Sequence, residues 1–164
     1  MISLGTFFWL MIIFFAIVGA MRGWTKEVIA TSGLILSLFT LDFFGDQLIS
    51  LLQTQGGETN VALQRQQFYI MAFIHLLFAF FSYQGPAIAG TRLGDRLRVR
   101  DSIQDKFMGG IIGAVNGYLI IGGIWAFLEM NLDAAGNYPF DLTTITRPGM
   151  APYAPALDII ANLP

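Results

Sequence analysis

The chain has 164 residues, 55% of them hydrophobic and only 12% charged, with a formal net charge of −2 and a mean hydropathy of +0.62. That balance excludes both a water-soluble globular domain and a disordered chain, and it points to a compact membrane unit. The sequence has no Cys and one His, which excludes disulfide frameworks, thiolate metal centres, Cys nucleophiles and multi-His metal sites.

Leu4 to Met21 is a first apolar span. Val18-Gly19-Ala20 has the small residues of a signal-peptide cleavage site, but no basic residue precedes the apolar run, so the segment reads as a membrane helix. A second span covers residues 28–44. The apolar pattern resumes at Leu48, Ile49, Leu51 and Leu52, so this helix either continues to 52 or bends near Gly45. Asp42 and Asp46, one turn apart, read as its wet end. Gln53 to Asn60 is a polar, glycine-containing loop.

The third span, residues 66–83, is rich in Phe. Gln84-Gly85-Pro86 then predicts a kink or an end, because proline has no N–H and disfavours helical geometry in the residue before it. Thr91 to Lys106 reads as an amphipathic segment lying along the membrane surface, with Arg92, Arg96, Arg98, Arg100 and Lys106 as a basic anchor at the lipid. The same residues are what topology demands of such a connection, so nucleic acid is not the expected partner.

Residues 107–129 form the fourth span. No charge occurs from Phe107 to Leu128, a length of about 33 Å as a helix, enough to cross a hydrocarbon core of about 30 Å. Residues 131–164 hold five of the six prolines and read as a tail with one short helix, Ala156 to Leu163. The expected fold is thus all-α and integral to the membrane: a four-helix domain over 1–130 and a Pro-rich tail. Seven of the nine Lys and Arg residues fall in the first and third connections, which assigns those connections to the cytoplasm and both termini to the extracytoplasmic side.

Gly109, Gly113 and Gly117 recur every fourth residue and form a groove along one helix face, suited to packing within the subunit, to contact with another subunit, or to a pore or hinge. Gly19 and Gly23 make a shorter run of the same kind. Glu27, at a membrane boundary, is a solvated or helix-capping acid, one half of a buried pair with an arginine of the third connection, or part of a proton or ion pathway, which would need a second intramembrane carboxylate. His75 falls in mid-span among Phe73, Phe78 and Phe80. It suits a neutral imidazole bonded to another helix, a protonation switch, or a ligand to a tetrapyrrole with a carotenoid among the phenylalanines. Asn116 is placed to bond a neighbouring helix.

VGAMRGWTKEVIATSGLILSLF (residues 18–39), with Gly19, Gly23 and Glu27 spaced by four and Arg22 and Lys26 beside them, resembles the first connection of the colicin V production (CvpA) family of bacterial inner-membrane proteins. KFMGGIIGAVNG (106–117) is similar to that family's entry into the fourth helix, and PYAPALDIIANL (152–163) to its short terminal helix. The chain departs from the family pattern at Val18, where a basic residue is usual, and in having no Asp before Asp42. The resemblance implies a four-helix inner-membrane protein linked to envelope homeostasis and secretion, and it supplies no catalytic residue. The function expected is therefore non-enzymatic, through helix contacts with itself or with other membrane proteins, and without a cofactor. The alternative is an accessory subunit of a respiratory or photosynthetic complex that touches pigment or haem at His75.

Overall fold

The computed structural model describes residues 2–52, 60–88, 103–132, 138–140, 145–146 and 164. Four helices make up nearly all of this: α1 (Leu4–Arg22), α2 (Trp24–Leu52), α3 (Asn60–Ile88) and α4 (Ile103–Met130). Each is long and apolar enough to cross a membrane. Ile2 and Ser3 pair in parallel with Ile145 and Thr146, a two-residue ladder that tethers the start of the chain to the segment after α4.

The helix bounds differ from the sequence pattern where local breakers are overridden. α2 runs without interruption through Gly45. α3 continues past Gln84-Gly85-Pro86 to Ile88, so Pro86 lies in its last turn, where it gives up its own bond to the carbonyl four residues back and the helix ends two residues on. α4 begins at Ile103, so Ile103 to Lys106 form its first turn. The remainder of the expected surface segment, with Arg92, Arg96, Arg98 and Arg100, lies outside the described residues, as does the stretch Ala156 to Leu163.

α4 is the centre of the bundle, with half of its span buried, against about a tenth for α1. α1 packs chiefly along α4, whereas α2 packs on α3 and α4. Two apolar layers fill the α2–α3–α4 core. Leu34, Ala79 and Ile120 form one and Leu41, Met71 and Phe127 the other. The outside is apolar as well: Ile13, Phe14, Ile17, Phe39, Phe43, Phe73, Phe80, Phe81 and Ile111 are all exposed. A surface of that kind has lipid as its solvent, and the chain is a multi-pass membrane protein.

The α1–α4 contact shows why glycine recurs. Gly19, Gly109 and Gly113 are buried at the crossing, where the two backbones touch: a Cβ on Gly113 would stand 2.8 Å from Gly19 Cα. Further along, a Cβ on Gly117 would stand 3.2 Å from Ile12 Cα. Lipid offers no hydrophobic drive between helices, so attraction depends on this close approach. Beyond the glycines, Phe8 sets its ring edge against Trp125 at 5.5 Å and closes the seam.

Candidate functional site

The most concentrated chemistry lies where α1 turns into α2. Gly23 alone joins the two helices, with φ at +85°, in the left-handed region that a side chain disfavours. Its N–H donates to Gly19 O at 2.9 Å, the bond by which a glycine beyond a helix end closes the last turn, and its own carbonyl accepts from Glu27 N–H at 3.4 Å. One glycine therefore ends α1 and caps α2. Having no side chain, it leaves the first N–H groups of α2 without a local acceptor, and Asp105 from α4 fills the gap by accepting from Trp24 N–H at 3.3 Å. Asp105 is 9% exposed and sits in the first turn of its own helix, so one carboxylate faces two positive helix ends.

The same turn swings Arg22 back onto Glu27. In an unbroken helix, residues five apart point in different directions. Across Gly23 they meet instead: Arg22 Nη1 donates to Glu27 Oε1 at 2.5 Å. Glu27 is fully buried, and its other oxygen accepts from Asn116 Nδ2 at 2.8 Å and from the Tyr83 hydroxyl at 3.1 Å. Arg22 Nη2 donates to Tyr83 O at 3.0 Å, with the guanidinium carbon 4.2 Å from the centre of the Tyr83 ring. Asn116 Nδ2 also reaches Glu27 O at 3.1 Å, and its Oδ1 accepts from the Thr31 hydroxyl at 2.7 Å. An ion pair of this sort is costly to desolvate unless its remaining lone pairs are satisfied, and here both carboxylate oxygens are. The network ties the α1–α2 turn to α3 and α4.

A second polar contact lies nearer mid-span. His75 is fully buried, with Ser37 Oγ 2.9 Å from Nδ1 and Leu119 O 3.2 Å from Nε2. A carbonyl only accepts, so Nε2 bears the proton and Nδ1 accepts from Ser37. Phe127 meets the imidazole edge-on at 5.6 Å, and Gly123 makes room beside it, since a Cβ there would stand 3.1 Å from Nε2. Both nitrogens are thus engaged in bonds to other helices, and ligation of a macrocycle metal would require one of those bonds to break.

At the opposite end, Glu129 accepts from the Trp125 indole N–H at 3.0 Å and from the Tyr138 hydroxyl at 2.5 Å. Arg65 donates to Pro139 O and lies over the Phe140 ring, and Gln64 Nε2 donates to Leu132 O at 3.1 Å. These bonds fasten the segment after α4 to the start of α3. Among the described residues no group of three or more His, Asp or Glu side chains could hold a metal ion.

Of the residues singled out from the sequence, Gly19, Gly23, Gly109, Gly113 and Gly117 come together at the α1–α4 seam, and Glu27 and Asn116 meet in the buried network. The arginine beside Glu27 is Arg22, from the first connection. Lys106 is exposed in the first turn of α4. Sequence reasoning missed Tyr83, Thr31 and Asp105. Tyr83 falls at the end of the third predicted span and Asp105 among the residues of the basic connection, and no local spacing links either to α2.

The sequence model of a protein family described as Colicin V production protein matches residues 5–143, which takes in all four helices. No curated protein and no solved structure matches the chain.

Proposed function

The chain belongs to the colicin V production protein family, and from that premise we propose that it works in the bacterial inner membrane without catalysing a reaction. Its role in envelope homeostasis or secretion is exerted through contacts with copies of itself or with partner membrane proteins. The observation behind this reading is how the interior polar groups are spent. Glu27, Asn116, Ser37 and His75, all fully buried, each bond to another helix of the same bundle. Such a body is held in one arrangement from within, and its outer faces are what it offers to others.

In this reading the Gly23 end, with Arg22, Lys26 and Lys106, lies in the cytoplasm, and both termini lie outside it. A chain without Cys makes the test direct. Single cysteines replacing exposed Phe43 on α2, Phe81 on α3 and Ile111 on α4 are treated with a short thiol crosslinker in intact cells. Discrete adducts from one face, to itself or to a defined partner, are expected. Failure of all three faces to give any discrete adduct would refute the proposal.

A further inference from the structure

A groove of about 390 Å³ opens between α2 and α4, floored by Met71 of α3. Its walls are apolar, with Ile35, Leu38 and Phe39 on one side, Phe127 and Met130 on the other and Pro164 beside them, and its one charged side chain is Asp42. The volume falls within the range of small-molecule sites. Ile35 and Phe39 are more than half exposed, so the groove opens sideways onto lipid and is not sealed in the core.

The position of Asp42 decides what fits. It lies 18 residues beyond Trp24, about 27 Å along α2, close to the far boundary of a hydrocarbon core about 30 Å thick. Among the described residues it has neither a hydrogen-bond nor an ion-pair partner. Arg65, the described cation at that end of the bundle, is turned to Pro139 O and the Phe140 ring. Asp42 is exposed, so this is an interfacial charge above an apolar trough, and it complements a molecule with a hydrocarbon body and a cationic donor at its head.

We propose that this groove is a lipid site selective for a primary-amine headgroup, with an acyl chain along Ile35, Phe39 and Phe127 and the ammonium over Asp42. An ethanolamine phospholipid meets both demands. A phosphatidylglycerol presents only anionic and hydroxyl groups to the carboxylate and is disfavoured. A soluble amine has the charge but nothing to fill the trough.

The test uses the full chain reconstituted in vesicles of equimolar phosphatidylethanolamine and phosphatidylglycerol with identical acyl chains, followed by gentle delipidation and native mass spectrometry of the lipids retained. The amine lipid should exceed the bulk ratio by about two- to fivefold, the discrimination of a partly exposed ion pair. Asp42→Asn should return the ratio to that of the bulk, and Asp46→Asn, outside the groove, should leave it unchanged. Ile35→Trp, which fills the trough from an exposed position, should lower the total lipid retained while the melting temperature holds. A bulk ratio in the unsubstituted protein would overturn the proposal. A preference that survives Asp42→Asn, or a cationic peptide in place of lipid, would do the same.

Discussion

The α1–α4 seam predicts that one substitution, Gly→Ala, has different outcomes at two positions in the same bundle. At Gly113 the new Cβ would press on Phe15 O and stand 2.8 Å from Gly19 Cα and 3.1 Å from Gly19 N, where comfortable separations begin at about 3.5 Å. The obstacles are backbone atoms, so no side chain can swing aside and the helices must part by somewhat under ~1 Å. Overpacking of this kind costs about 1–3 kcal/mol. At Gly45 nothing lies within 4 Å of the added carbon, and alanine brings only its helix-propensity gain of about 1 kcal/mol. That gain is common to both variants, so the whole difference between them, about 1–3 kcal/mol with Gly113→Ala the less stable, is steric. Titration with denaturing detergent in mixed micelles measures it, with the fluorescence of Trp125, packed against Phe8, reporting on the seam. If the two variants unfold within 0.5 kcal/mol of one another, roughly the error of such comparisons, the close approach of α1 and α4 does not hold.

The buried network yields a double-mutant cycle. Glu27→Gln leaves Arg22 without its counter-charge and should cost about 3–5 kcal/mol, and removing both charges with Glu27→Gln and Arg22→Met should recover part of that loss; strict additivity would show that the two side chains act independently. Asp105→Ala removes the cap on α2 and should cost about 1 kcal/mol in the same assay, with hydrogen exchange accelerated at the first turn of α2. Ser37→Ala should cost about 0.6 kcal/mol, the average for a hydrogen bond between membrane helices. With both His75 nitrogens engaged, the purified protein should show no Soret band, and a band that disappears in His75→Ala would refute that assignment.

The membrane class and the four spans were legible because they follow from long uncharged runs, which composition alone reveals. The fourth span was clearest: nothing charged interrupts it from Phe107 to Leu128. The ends of elements were less legible, since Gly85-Pro86 is a local breaker and yet α3 runs on to Ile88. The buried network was visible only in pieces. Glu27 and Asn116 stand out as polar groups in apolar surroundings, but they are 89 residues apart, and no periodicity joins positions on different helices. The Arg22 contact was hidden for a different reason. Helical spacing sends residues five apart to different faces, and only the left-handed backbone at Gly23 turns one towards the other.

The single-residue joint at Gly23 also bears on how the molecule comes into being. Chains enter the membrane from the N-terminus as they are made. Arg22 and Glu27 emerge together, so each charge can be neutralised by the other before Tyr83, Asp105 or Asn116 exists, and the first hairpin can enter lipid without waiting for the rest. The later helices then dock onto a charge-balanced wedge already in place. On this account a ribosome-bound fragment ending shortly after α2 should integrate stably.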